Sequence, residues 1–246
     1  LLSTLEAYFQ GKKELFEGLA MEKLEKEWTK HPILHFDLNI SHYDAPDSLY
    51  KILNDTLSRY EEEYGTRPTE ETLPLRFAGI IDRAYRKTGQ RAVILIDEYD
   101  KPLLQNLHDE ETQNRFRNML KPFYGVLKTM DRAIRFALLT GVTKFGKVSV
   151  FSDLNNLDDI SMREPYAAIC GITETELRTH FDEDIHTLAS ALERTYEEAR
   201  SLLRKRYDGY HFGNTDIYCP WDVIRYCKSL CADPTAKPQD FWSNSS

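Results

Sequence analysis

No apolar run in the 246 residues approaches the ~20 needed to span a bilayer. No amino-terminal stretch reads as a signal peptide. The four cysteines, Cys170, Cys219, Cys227 and Cys231, form no CxxC pair. A disulfide scaffold is therefore not expected, and neither is a zinc site built on paired thiols. The expectation is reduced, mostly buried thiols in a cytoplasmic protein. Positive charge is in short supply: 32 Lys and Arg stand against 40 Asp and Glu, a net charge of −8. Such a surface has no general attraction for nucleic acid or anionic lipid, although a local basic cleft remains compatible with it. His31, His35, His42, His108, His180, His186 and His211 have no spacing with carboxylates that suggests a metal site. Repeats and low-complexity tracts are absent. The first residue is Leu1, not Met, so a fragment, processed chain or trimmed chain is expected.

A hydrophobic content of 41% is enough to bury a core, which sets this chain apart from disordered ones. Its length suits one large domain, or one with a small appendage. Helical spacing marks Leu1–Gln10, with no N-cap ahead of it, and Leu15–Lys30 reads as a second helix ended by His31-Pro32. Ile33–Leu38 reads as a buried strand carrying Asp37 and Asn39 at its end. Asp47 is placed to cap a helix from about Ser48 to Glu63. Leu73–Thr88 follows, with Pro74 in its first turn and Gly89 closing it. Val93–Ile96 is uninterruptedly apolar and mostly β-branched, the pattern of a strand covered on both faces. Asp109 starts a long helix to about Met130, and Ala133–Leu139 is a third strand. Strands alternating with long helices predict a three-layer α/β domain with a parallel sheet, whose chemistry lies at the C-terminal strand ends. Asp37, Asp97, Glu98 and Thr140 all lie at such ends. Phe151–Ser161 reads as loop. Beyond it, helices are expected at Thr173–Phe181, Ile185–Arg206 and Trp221–Leu230. An aromatic turn is expected at Tyr207–Gly213, and Ile217-Tyr218 as a short strand. The predicted boundary divides a core at 1–164 from a smaller, mostly helical lid subdomain at 165–246.

An apolar strand ending in Asp-Glu is the Walker B arrangement of a nucleoside triphosphatase. Asp97 would be the metal residue, holding the water shell of Mg²⁺. Glu98 would be the catalytic base that orients and deprotonates the water attacking the γ-phosphate. The plain alternative is an acidic pair at a strand's surface end. Thr140 and Thr143 are placed to contact the γ-phosphate or the attacking water, and Lys144 to stabilise transferring charge. The competing reading is a Gly-containing turn without chemistry. The phosphate-cradling pattern G-x-x-x-x-G-K-[ST] is missing: Gly11-Lys12-Lys13 and Gly146-Lys147 lack the preceding glycine and strand. The expectation is a core whose first strand and phosphate loop precede Leu1, so that the chain as given would hydrolyse ATP poorly.

Several segments in combination resemble the bacterial AAA-ATPase-like family over nearly the whole chain. They are Ile94–Leu104, Leu139–Phe145, Val150–Ile160, Cys170–Leu177, Tyr207–Phe212 and Tyr218–Trp221. The resemblance implies a P-loop ATPase fold using ATP and Mg²⁺. It makes Asp97 and Glu98 the Walker B pair and puts Thr140 and Thr143 in the sensor region. It also implies a phosphate-binding loop near the start and, often, a following domain similar to PD-(D/E)XK nucleases. Nucleic acid or protein partners would act through that domain. An oligomer is compatible with the resemblance, and a membrane role is not expected.

Asn155-Asn156 and Asp158-Asp159 are weighed as lining of the nucleotide cleft against local turns that satisfy their own backbone. Arg163 is a candidate charge-stabilising arginine. Lys101-Pro102 is expected to begin a helical turn, and the functional reading of Tyr99–Lys101 is a contact to a partner or DNA. The aromatic segment at 207–212 reads as core packing of the lid in preference to a base-stacking platform. Three functions compete: an ATPase motor or switch, a nucleotide-responsive binding or signalling module with little turnover, and a nuclease. The nuclease ranks last, because Tyr99 occupies the acidic position of a (D/E)-x-K element ending at Lys101.

Overall fold

The computed structural model describes residues 1–142, 154, 156–212, 215–233, 235–237 and 239. They divide into two compact units, Leu1–Leu157 and Asp158–Ser246.

The first unit is built on a parallel sheet in the order β1-β2-β3, with β1 at Ile33–Asp37, β2 at Ala92–Asp97 and β3 at Ile134–Leu139. Ala92 to Ile96 are all fully buried. Along a strand alternate side chains face opposite ways, and two separate clusters form accordingly. Ala92, Ile94 and Ile96 join Leu34 and Phe36 in the main core. Val93 and Leu95 pack instead with Leu2 and Phe9 of helix α1, Leu2–Phe9. Three helices cover the main face: α3 at Ser48–Tyr64, α4 at Leu73–Thr88 and α6 at Glu110–Thr129. Each presents apolar residues at helical spacing, such as Leu49, Leu53 and Leu57, or Phe77, Ile80, Ile81 and Ala84. Layers on both sides of a parallel sheet are what its apolar β2 demands. The α/β reading and its three strands hold.

Turn chemistry sets several boundaries. Gly89 closes α4 at a φ of +69°, and Asp109 accepts the Thr112 N–H at 3.0 Å to start α6. Asp47 precedes α3 as expected but its carboxylate makes no cap bond; it pairs with Lys51 at 2.7 Å. The expected helix over 15–30 does not form. A 3-10 turn at Lys13–Phe16 and a short helix α2, Ala20–Leu24, take its place. Gly18 sits at a φ of +76° and Trp28 at +46°, both incompatible with a continuing helix. Leu15, Leu19 and Leu24 stay exposed, so the periodicity had no surface to bury against.

The second unit holds α7 (Glu174–His180), α8 (Asp182–Ala191), α9 (Tyr196–Tyr207) and α10 (Pro220–Ala232). It also contains an antiparallel sheet ordered β4-β6-β5, from Ile172–Thr173, Thr215–Tyr218 and Asp208–Phe212. Two expectations change here. Of the aromatic segment, Tyr207 ends α9 and Asp208–Phe212 is a strand paired with β6, not a turn; Gly213 lies outside the described residues. The helix expected over 185–206 is two helices. Glu193 at a φ of +53° ends the first. Thr195 and Glu198 then start the second by exchanging backbone bonds, Thr195 N–H to Glu198 at 2.9 Å and Glu198 N–H to Thr195 at 3.3 Å, a capping box.

Phe123 is fully buried, stacked on Phe77 at 4.7 Å and edge-on to Phe36 at 5.4 Å. Phe123→Ala is expected to cost about 3–5 kcal/mol, the usual penalty for emptying a ring-sized core site. Urea unfolding followed by circular dichroism measures it. A loss below about 1 kcal/mol would mean that the aromatic core is not close-packed.

Candidate functional site

β1 and β2 end level with each other, Asp37 opposite Asp97. The chain beyond β2 is then joined to the chain beyond β3. Thr140 N–H donates to the Ile96 carbonyl at 2.9 Å, and Tyr99 N–H donates to the Thr140 carbonyl at 2.9 Å. These backbone bonds carry the Thr140 hydroxyl to Asp97, where it donates to Oδ1. Asp97, Glu98 and Thr140, three of the residues singled out in the sequence, are thus brought to one sheet end. All three are half-buried. Thr143 and Lys144 lie outside the described residues, as does Asn155.

Glu98 carries a φ of +53°. A left-handed backbone is uncommon for a residue with a Cβ, and it marks a conformation imposed by the surroundings. Here the chain must leave a buried strand and turn at once into α5, Lys101–Leu104. The Glu98 carboxyl titrates above the ordinary glutamate range. Burial is the first cause, followed by the charges of Asp97 and Asp100, with Lys101 opposing them.

The surroundings of this turn were not legible in the sequence. Asp100 is almost wholly buried, at 1% exposure, and its Oδ1 accepts Val142 N–H at 3.3 Å. Gly141 runs so close that a Cβ there would stand 2.5 Å from that oxygen and 2.7 Å from the Tyr99 ring. The buried Tyr124 hydroxyl donates to the Tyr99 carbonyl at 3.0 Å. On the β1 side, Lys101 Nζ donates to the Asn39 carbonyl at 2.9 Å and to its Oδ1 at 2.5 Å. Asn39 N–H donates in turn to Asp37 Oδ1 at 2.8 Å. Asn106 Nδ2 donates to the Tyr43 carbonyl at 2.8 Å, and Tyr43 N–H to Gln105 Oε1 at 2.9 Å. Residues 97–106 therefore bond to the chain beyond both neighbouring strands. No single residue type announces such contacts; only the glycine after Thr140 hinted at a close approach.

Other candidates make contacts of their own. Asn156 Nδ2 makes a 3.5 Å contact with the Leu127 carbonyl. Asp159 accepts Ser161 N–H at 3.0 Å as a local turn, and Arg163 pairs with Asp158.

Two substitutions test this geometry. Glu98→Gly removes the side-chain penalty at positive φ, expected to stabilise the protein by about 1 kcal/mol in a thermal melt. Glu98→Gln removes the ionisation instead. Because the folded-state pKa is raised, the parent protein loses stability as pH climbs from the ordinary glutamate range through the raised value. In metal-free buffer the two proteins should melt alike below that range. Above it Glu98→Gln should melt higher, with the gap constant once Glu98 is fully ionised. A gap of the opposite sign would contradict the assigned cause.

A family model described as "Predicted AAA-ATPase" matches residues 1–151. A curated protein of Azotobacter chroococcum mcd 1, "Uncharacterized protein in vnfD 5′region", is 36% identical over 224 residues. That match covers 91% of this chain and 41% of the relative, so the chain spans less than half of the relative's length. No solved structure matches significantly. Among the described residues no helix is long and apolar enough to cross a membrane. The α/β core with its parallel sheet is compatible with a P-loop-like domain, and nucleotide binding or hydrolysis is the general property the family description carries. On these matches, the chain belongs to the AAA-ATPase-like family of predicted AAA-ATPases.

Proposed function

We propose that the strand-end cluster serves Mg²⁺-dependent ATP binding and hydrolysis, with Asp97 as the Walker B metal residue and Glu98 as the base. The observation that carries this reading is the pairing of a strained, partly desolvated Glu98 with a neighbouring Asp97 whose rotamer is fixed by Thr140. Strain of this kind persists where the surroundings over-determine it, and it concentrates at functional sites. A raised carboxyl pKa suits a group that must take a proton from water near neutral pH.

The donor set fits magnesium. Asp37, Asp97 and Glu98 offer hard oxygen atoms. Among the described residues no three His, Cys, Asp or Glu side chains gather into a protein-only cage. Mg²⁺ is usually held by one or two carboxylates, with waters and phosphate oxygens completing its shell. When bound, it would neutralise charge on the phosphates. Asp97 would hold its water shell.

A hydroxyl has one proton and two lone pairs. Thr140 gives its proton to Asp97. In this reading it therefore fixes Asp97 and faces the reaction as an acceptor, orienting the attacking water instead of donating to the γ-phosphate. Thr143 and Lys144 are carried into the proposal as the groups that meet the γ-phosphate and its transferring charge. The proposal takes residues 1–164 as the ATPase core and 165–246 as the smaller lid subdomain. The division of the chain near Leu157 supports a boundary in that region.

In a full-length version of the protein, Glu98→Gln is expected to bind ATP as tightly as the parent and to release phosphate about a hundredfold more slowly, the usual contribution of a general base. Nucleotide retained on the protein and phosphate released are the two readouts. Equal turnover in parent and variant would remove Glu98 from the role. Tight Mg²⁺-dependent binding without turnover in the parent itself would instead make the protein a nucleotide-responsive binding module.

A further inference from the structure

We propose that Asp100 is a positioning residue, whose buried carboxylate holds the turn after β3 and thereby keeps the Thr140 hydroxyl on Asp97. The inference rests on the ATPase reading, because the Thr140–Asp97 contact matters to turnover only there.

A buried carboxylate is costly unless hydrogen bonds compensate it, so what Asp100 bonds is informative. It precedes α5, and an aspartate there would ordinarily cap the helix. Its side chain makes no cap bond. The backbone carbonyl of Asp100 does that work, accepting Leu103 and Leu104 N–H at 3.0 Å each. The carboxylate reaches the other way, to Val142 N–H at 3.3 Å, with Gly141 against it.

Past Thr140 and its two backbone bonds, little else among the described residues holds the turn. Gly141 has no side chain, and that of Val142 is 77% exposed. β3 is paired only with β2 among the described residues. Residues 140, 141 and 142 each meet the 99–100 segment in turn. Thr140 accepts Tyr99 N–H at 2.9 Å, Gly141 lies against Tyr99 and Asp100, and Val142 donates to Asp100. Tyr124 steadies the opposite side by bonding the Tyr99 carbonyl at 3.0 Å. Asp100 is the only one of these anchors that is a charged side chain, and a charge-assisted bond is the stronger kind. Removing it should leave the turn free to swing and Thr140 to leave Asp97.

The test compares the parent with Asp100→Ala, Asp100→Asn, Thr140→Val and the Asp100→Ala/Thr140→Val pair. Turnover is normalised to the protein that binds nucleotide, so a smaller folded fraction does not count. Asp100→Ala is expected to lower the normalised turnover at least tenfold with ATP affinity within about twofold of the parent. Asp100→Asn, which keeps an acceptor oxygen in place, should recover most of that loss. The double variant should fall no further than Thr140→Val alone, because residues acting as one unit are not additive. Multiplying losses, or parental turnover in Asp100→Ala where Thr140→Val lowers it, would overturn the proposal. Should Asp100→Ala not fold, Asp100→Asn with Thr140→Val decides by the same criterion. Amide hydrogen exchange supplies an arm independent of ATP. Asp100→Ala should raise exchange at Tyr99 and Val142 at least tenfold, and unchanged exchange would overturn the proposal whatever the turnover. If Thr140→Val leaves turnover intact while exchange responds, the ATPase role of Thr140 fails and the clamp itself stands.

Discussion

The hydroxyl of Thr140 bonded to the carboxylate of Asp97 is the contact on which the strand-end site depends. It exists because β2 is buried on both faces and cannot place a polar group until its last residue. The first carboxylate therefore appears where apolar packing ends. The parallel neighbours deliver their own ends to the same place, since parallel strands share one C-terminal edge. Backbone bonds between residues 96, 99 and 140 then fix the register of side chains that are distant in sequence.

Local costs at that edge have visible sources. Glu98 adopts a left-handed backbone because the chain turns directly from β2 into a helix begun by Lys101-Pro102. Its carboxyl is disfavoured as an anion by burial and by Asp97 and Asp100. Both features are tolerable because the surrounding frame is rigid: Phe36 meets Phe77 and Phe123 edge to face, those two rings stack on each other, and Tyr124 bonds the Tyr99 carbonyl. A site of this kind trades some stability for a placed, partly desolvated acid.

The strands and the longer helices were legible because their signals are local. The apolar run of β2, the alternation of helices with strands, Pro74 and Gly89 around α4, and Asp109 before α6 each state their role in a few residues. Asp97, Glu98 and Thr140 were legible for the same reason, as polar residues at the ends of apolar runs. The segment from 15 to 30 was not, because periodic leucines imply a helix only when a surface exists to receive them. The break between α8 and α9 was present in the sequence as Thr195-x-x-Glu198, the same spacing as the capping box of Thr173 and Glu176 that opens α7. Asp100 was hidden for a different reason. Its neighbours, Gly141 and Val142, lie some forty residues away, and a buried acid between a tyrosine and a lysine looks like any exposed one.

In the proposed reading, nucleotide and metal meet the protein at the C-terminal end of β2. Mn²⁺ in place of Mg²⁺, added with ATP to isotopically labelled protein, broadens backbone resonances near the metal. Broadening is expected to centre on Asp97, Glu98 and Thr140 and to need the nucleotide. Broadening centred on the opposite end of the sheet, around Arg91 and Ile134, would contradict it.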